Sequence, residues 1–445
     1  MMREPAFSLL RVPKRTSLSG KRVLVLGLGD TGLSLARWVE REGGKARVAD
    51  TRPSPPRKAD FKGDVHLGAF TPELLNGVDL VCVSPGLSLE QELIRAAVAA
   101  SIPVLGDIEL FAWANRQPIL AITGTNGKTT VTSLTGHLLR AGGVDAEVAG
   151  NISPPALDAL MKRQTPPAAW VLELSSYQLE TTWSLAPAAA AMLNLTEDHF
   201  DRYTGLDDYG AAKARVFLGA GVQVLNRDDP RSLEMAQPGR TVVTFGLDAP
   251  RGNDFGVVRG QLMHGNTPIA RVDELQIRGS HNVANALAAC ALVSVLGVDP
   301  RAGLKTFKGL PHRVELVATR SGVEWYDDSK GTNVGATVAA LRGLGKKTVL
   351  ILGGEGKGQD FSPLREPVRE FATQVLLIGR DAPLIEKAVG GEKCSSLEVA
   401  VGRAAQIAKP GEAVLLSPAC ASFDMFRDYK HRGDVFAAAV RALAP

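Results

Sequence analysis

A glycine-rich stretch, Gly124-Thr125-Asn126-Gly127-Lys128-Thr129-Thr130, follows the apolar run Ile119–Thr123 and leads into a helical pattern. Strand, glycine loop and helix in that order make a phosphate cradle. Backbone N–H groups and a helix N-terminus face the anion, a lysine meets the β- and γ-phosphates, and a hydroxyl reaches magnesium. Lys128 and Thr129 hold those two places, although Ile122 stands where the full P-loop pattern has its first glycine. An exposed Gly-Lys turn would lack the flanking strand and helix. ATP is therefore the expected ligand of Gly124 to Thr130, with kinase, ATPase and ligase chemistry all open at this point.

Other polar residues sit where chemistry is usually done. Glu173 ends the apolar run Trp170–Leu174, a place from which a carboxylate holds magnesium, or simply meets solvent. His199 follows the run Ala189–Leu193 and is either a second metal ligand or a structural histidine. Lys213, on a helix, would by itself be a surface lysine. Asn282 and Asn285 are spaced to share one helix face, where two amides read a base edge or cap the helix. Further on, Pro311-His312-Arg313, Asp327 to Asn333, Gly353 to Lys357 and Ser417 to Ser422 are polar stretches, the last three each following a strand-like run. Loops at the carboxyl ends of parallel strands form one crevice rim, and these offer Lys, Arg and Ser groups to an anionic, carboxylate-bearing substrate; helix capping by Ser329, Ser417 and Ser422 is the plainer alternative. No Ser/His/Asp or Cys/His set suggests an enzyme nucleophile.

These residues need an α/β frame. Strand-like runs at Lys21–Leu26, up to Asp50, Leu80–Ser84, Val104–Leu105, Val323–Tyr326, Thr348–Leu352, Val375–Ile378 and Ala413–Leu416 alternate with helical patterns, which predicts parallel, doubly wound sheets. The first strand runs into Gly27-Leu28-Gly29-Asp30-Thr31-Gly32, with Asp50 about 20 residues on, the spacing of a dinucleotide fingerprint. A nucleotide-type ligand is expected there, but no second feature serves hydride chemistry. For 445 residues, three domains are expected: residues 1–106, Rossmann-like; 107–310, a central P-loop ATPase-type parallel sheet; and 311–445, again Rossmann-like.

Composition narrows the partners. Lys+Arg 51 against Asp+Glu 47 leaves a net charge of +4 with no basic tract, so no nucleic-acid partner is expected. The four cysteines form no CxxC pair and fit a reduced, cytoplasmic setting. No apolar run is long enough for a membrane span, and the first residues make a poor signal peptide.

Taken together, GTNGKT, LELSSYQLE, NLTEDHFDR, AAK, HNVAN, PHR, DSKGTN, GGEGKGQDF and SPACASFDMFRDYKHRG resemble the Mur ligase family over nearly the whole chain from Gly27 to Gly433. DSKGTN and SPACASFDMF favour its D-glutamate-adding branch, and no DNPR-like motif of the diaminopimelate-adding branch is present. The resemblance implies an ATP-dependent amide ligase of peptidoglycan precursor synthesis, working as a monomer on UDP-N-acetylmuramoyl-L-alanine and D-glutamate through an acyl phosphate. It implies UDP-substrate contacts at Asp30, Thr31, Asp50, Thr51, Arg52, Gly86 and Asn151. ATP would meet the glycine loop, Asn282, Asn285, Arg313 and Asp328. Two magnesium ions would be served by Thr129, Glu173, His199 and Lys213, the last carbamylated in family members, with Lys128, Glu173, His199 and Lys213 forming the catalytic set. D-glutamate would meet Lys330, Thr332, Lys357, Ser422 and Tyr429, of which Tyr429 stands only where an aromatic residue is expected.

Overall fold

The computed structural model describes residues 6–199 and 202–443. The apolar runs are strands covered on both faces, which is why they lack a polar alternation. Ile119–Thr123, Ala169–Glu173, Thr348–Gly353 and Ala413–Leu416 are buried along their entire lengths. Among the described residues they fall into three sheets.

The first sheet has five parallel strands in the order Asp64–Leu67, Lys45–Asp50, Arg22–Leu26, Leu80–Val83, Val104–Leu105. The second runs from Ala146–Gly150 through Ala169–Glu173, Ile119–Thr123, Ala189–Met192 and Val222–Asn226 to Val242–Phe245, all parallel, and three short strands between Phe255 and Arg271 extend it. In the third, Glu315–Arg320 is an antiparallel edge on Val323–Asp327, followed by Ala413–Leu416, Thr348–Gly353, Ala372–Ile378 and Glu392–Lys393 in parallel. The doubly wound reading therefore holds, with strand ends within a few residues of those expected. The strands at Asp64–Leu67, Ala146–Gly150 and Glu392–Lys393 are short edge strands carrying polar residues, so no apolar run announces them.

The chain forms two compact units. One comprises residues 1–258, 263–269 and 287–303 and contains the first two sheets apart from the outermost strands; the other comprises 259–262, 270–286 and 304–445 and contains the third. In the first unit a single apolar cluster runs from Val23 and Val25 of the first sheet to Trp170 and Leu172 of the second. Phe111, on the helix Asp107–Ala114, meets Trp170 edge-on at 5.0 Å within it. In the other unit the third sheet has a core on each face: Leu350, Leu352 and Leu415 on one, Val349, Ile351, Val414 and Leu416 with Phe436 on the other. No helix among the described residues is long and apolar enough to cross a membrane.

Phe111 is fully buried between two sheets. Phe111→Ala is expected to lower stability by about 3–5 kcal/mol, the usual cost of deleting a packed aromatic ring, read as a fall in the denaturant midpoint of the unit holding both sheets.

Candidate active site

Three parallel strands end side by side where the phosphate loop begins. Ile122 pairs with Glu173 on one side, and Thr123 with Met192 on the other. The loop between Thr123 and the helix Lys128–Ala141 turns through Gly127, whose φ of +82° suits glycine. It is latched from the segment after Met192. Thr125 N–H donates to the Asn194 carbonyl (2.9 Å) and Asn126 N–H to the Asn194 side chain (2.8 Å), while Thr196 N–H donates to the Thr125 hydroxyl (3.0 Å). Asn194 and Thr196 were not singled out by sequence reasoning, though both lie in NLTEDHFDR.

Two lysine amines converge on the loop. Lys128 Nζ donates to the carbonyls of Gly124 (2.8 Å) and Thr125 (2.7 Å), and Lys213 Nζ donates to the same Gly124 carbonyl (2.9 Å). Lys213 is no surface residue: it is only 1% exposed. Burial, with the neighbouring Lys128 charge adding to it, drives its pKa well below the usual lysine range, against the pull of Asp198 and Glu173. Tyr209 links it to His199, its ring lying 4.5 Å from the Lys213 amine and 5.9 Å from the His199 ring. His199 holds a left-handed backbone (φ +59°) that few non-glycine residues adopt.

Glu173 supplies the test of whether a cation fits. It is buried; Oε1 accepts from the Asn151 amide (2.7 Å), and Oε2 has no hydrogen-bond partner among the described residues. A buried carboxylate oxygen left open beside a phosphate loop is suited to a hard cation. Thr129, Glu173 and His199 therefore offer oxygen and nitrogen donors that a cation could use, whereas the bare Lys213 amine, itself donating to the Gly124 carbonyl, does not. The one group of three His, Asp and Glu ligand atoms within 4.8 Å of one another, among the described residues, is elsewhere: His312, Glu315 and Asp327. There Asp327 already binds the His312 ring (2.7 Å), which raises the His312 pKa, and Glu315 accepts from the His312 backbone (3.0 Å).

The first glycine loop opens onto a cavity of about 650 Å³. Asp30, Thr31, Asp50, Thr51, Arg52, Gly86 and Asn151 all line it, as do Ser175, Tyr177 and Gln178, which sequence reasoning left unassigned. Gly32 is required by contact: a Cβ there would lie 1.8 Å from the Gly27 carbonyl. Asp50 is already engaged, since its carboxylate accepts from Leu28 N–H (2.7 Å), Arg52 N–H (2.9 Å) and the Arg52 guanidinium (2.9 and 2.7 Å). Although burial opposes it, these bonds hold its pKa down at about 2. Leu28 and Arg52 thus fill the Asp50 carboxylate, which shapes the turn and aims Arg52 toward the cavity's rim.

In the other unit the three polar loops do meet. Glu355 and Ala421 exchange two backbone bonds of 2.9 Å, joining GGEGK to SPACAS. Arg432, wholly buried, donates to the Ser329 hydroxyl (2.9 Å) and carbonyl (2.7 Å) and to the Cys420 (3.0 Å) and Ala421 (3.3 Å) carbonyls, joining SPACAS to DSKGTN. Burial draws its pKa down to about 10. Lys330 lies 4.0 Å over the Tyr429 ring, and Tyr429 opens the helix Tyr429–Ala442. Ser422 is buried at the end of SPACAS, Thr332 follows Lys330 on the same turn, and Lys357 points toward Phe423 at 5.9 Å with a φ of +52°. Asn282 and Asn285 share a face as their spacing implied, the Asn285 amide donating to Asn282 Oδ1 (3.1 Å). Asp328 is buried with its carboxylate on the Ser417 hydroxyl (2.7 Å) and Val314 N–H (3.3 Å).

Burial pushes Asp328 up to about 7, against the pull of Ser417 and Arg313. The native state therefore keeps a proton that the unfolded chain loses near pH 4, so Asp328 costs stability progressively as pH rises from about 4 to 7. The unfolding midpoint of wild type is expected to fall relative to Asp328→Asn across that window and to run parallel to it below, as read by denaturation at stepped pH.

Comparisons with known proteins agree over most of the chain. The family models described as Mur ligase MurD-like, N-terminal domain; Mur ligase middle domain; and Mur ligase, glutamate ligase domain match residues 21–106, 122–293 and 312–420. The UDP-N-acetylmuramoylalanine--D-glutamate ligase of Nitrosospira multiformis is 52% identical, with 96% of each chain covered, and that of Aromatoleum aromaticum is 52% identical over 96% of this chain and 98% of its own. Among solved structures, MurF from Acinetobacter baumannii matches with TM-score 0.62 and 18% identity over 97% of this chain and 93% of its own, and MurF from Thermotoga maritima in complex with ADP with 0.60 and 16% over 100% of both; at such identities they speak for the fold alone. The chain belongs to the Mur ligase family.

Proposed function

We propose that this chain joins D-glutamate to the alanine carboxylate of UDP-N-acetylmuramoyl-L-alanine, with ATP cleaved to ADP and phosphate. The observation that supports it most is the convergence of Lys128, Lys213 and the unpartnered oxygen of Glu173 at the end of one parallel sheet, beside a nucleotide-sized cavity. A carboxylate does not acylate an amine at neutral pH, because oxide would have to leave. Attack of a carboxylate oxygen on the γ-phosphorus makes an acyl phosphate; the amine then attacks the carbonyl carbon and phosphate departs with that oxygen.

The residues divide the work. The amides of Gly124 to Thr130 and the Lys128 amine would cradle the triphosphate and neutralise charge that builds on the transferring group. Magnesium, held by Thr129, Glu173, His199 and Lys213, would supply further positive charge to the phosphate oxygens. A neutral amine is the form that adds to carbon dioxide, so the suppressed pKa of Lys213 favours carbamylation, the amine proton being lost as the N–C bond forms. The product is an anion suited to a cation that the bare lysine would repel. The cavity at Asp30, Thr31, Asp50, Thr51, Arg52, Gly86 and Asn151 is assigned to the UDP-substrate. In the other unit Asn282, Asn285, Arg313 and Asp328 are assigned to the nucleoside of ATP, and Lys330, Thr332, Lys357, Ser422 and Tyr429 to D-glutamate. The domain limits would be residues 1–106, 107–310 and 311–445, in keeping with the spans of the three family models. The enzyme would act in the cytoplasm as a monomer, without nucleic-acid or membrane partners.

Phosphate release from ATP and the UDP-substrate tests the assignment. Release is expected to depend on D-glutamate, to fall at least a hundredfold with L-glutamate (about 2.7 kcal/mol), and to be lost in Lys128→Ala. Equal turnover with L-glutamate or with no amino acid would sink the substrate assignment.

A further inference from the structure

Asp107 is the first residue of the helix Asp107–Ala114 and is 1% exposed. A carboxylate so placed is costly unless it is bonded. Its side-chain partner is the Gln178 amide, which donates Nε2–H to Oδ2 at 3.0 Å, and Oδ1 accepts no hydrogen bond from the described residues. Burial pushes Asp107 up to about 6, against the pull of Gln178 and the first amides of its helix. The contact is built into the backbone around it. Gly106 N–H donates to the Thr181 carbonyl (3.3 Å), and a Cβ on Gly106 would lie 2.2 Å from the Thr181 hydroxyl.

Gln178 is a wall of the cavity assigned to the UDP-substrate, and so is Ser175. The two are tied together. Gln178 Oε1 accepts from Ser175 N–H (3.2 Å) and from the Ser175 hydroxyl (3.3 Å), while Gln178 N–H donates to that hydroxyl (3.2 Å). The two ends of a glutamine amide have nearly the same shape, so hydrogen-bond polarity alone decides which way it faces. Turned over, the amide would set its carbonyl oxygen against the Asp107 carboxylate, acceptor against acceptor, and its NH₂ against the Ser175 N–H, donor against donor. The carboxyl oxygen that receives Nε2–H fixes the orientation together with the Ser175 N–H that meets Oε1, and among the described residues it alone holds the NH₂ end. Nε2 carries a second hydrogen, for which the described residues supply no acceptor.

We propose that Asp107 is a positioning residue: by fixing the Gln178 amide it makes this wall of the cavity a hydrogen-bond donor to an acceptor oxygen on the sugar–peptide part of the UDP-substrate. This rests on the ligase reading above. Asp107 does not touch the phosphate loop, so its effect falls on the affinity for one substrate and leaves the phosphoryl step alone.

Steady-state ligation by wild type, Asp107→Asn, Gln178→Leu and the double variant tests it, the three KM values being measured separately. Asp107→Asn is expected to raise KM for UDP-N-acetylmuramoyl-L-alanine about tenfold, with kcat and the KM values for ATP and D-glutamate within about twofold of wild type. The double variant is expected to match Gln178→Leu alone, because a residue acting through another adds nothing once that other is gone. An unchanged KM for the UDP-substrate in Asp107→Asn overturns the proposal. So does multiplication of the two single effects in the double variant, or a parallel loss in kcat and all three KM values. If Asp107→Asn does not fold, Gln178→Glu, which keeps the shape and removes the amide donor, must raise the same KM; no rise overturns the proposal. Wild type that turns over no UDP-substrate overturns the ligase reading and this proposal with it, whereas active wild type with an unaffected Asp107→Asn variant overturns this proposal alone.

Discussion

The Gly124 carbonyl receives both the Lys128 and the Lys213 amines, within 2.9 Å of each. Two ammonium groups on one acceptor in a buried setting repel strongly, since the screening of bulk water is absent. Burial relieves this by suppressing the charge of Lys213, while the Lys128 amine stays on the glycine loop. Everything around the pair serves to hold it. The order of the central strands sets Thr123, Glu173 and Met192 side by side, and Asn194 and Thr196 latch the loop from the neighbouring strand end. The donors of the loop are thus held in place by the fold itself, the preorganisation that electrostatic catalysis needs.

The other unit solves a different problem by similar means. DSKGTN, GGEGK and SPACAS have no reason of their own to stay in register. Arg432 ties two of them with four donors, and the Glu355–Ala421 bridge ties the third. Burying a guanidinium is costly, and here the cost is offset by three carbonyls and the Ser329 hydroxyl, which accept from its N–H groups. The lysines and serines on these loops are thereby held on rigid supports.

Much of this was legible in the sequence, for physical reasons that can be named. Parallel strands buried on both faces leave apolar runs, and loops at their carboxyl ends leave glycine and polar residues; Lys128, Glu173 and the DSKGTN segment stood out on those grounds. Where sequence gave no purchase, the cause was that a residue's meaning lay in its partner. Lys213 reads as a surface lysine until its helix is seen packed over the loop. Arg432 reads as one more basic residue in KHRG. Asp107 and Gln178 are 71 positions apart and neither announces the other. Asp50 has the spacing of a ribose ligand, but its carboxylate is already filled by Leu28 and Arg52. Short polar edge strands such as Asp64–Leu67 carry no periodic signal at all.

The central claim is that the loop at Lys128 passes a phosphoryl group to a substrate carboxylate and that the amide forms from the resulting acyl phosphate. The direct measurement is ligation with oxygen-18 in the alanine carboxylate of the UDP-substrate, followed by mass analysis of the products. The account predicts one labelled oxygen in the released phosphate and the other in the new amide carbonyl. Unlabelled phosphate, with amide formed at the normal rate, would contradict it.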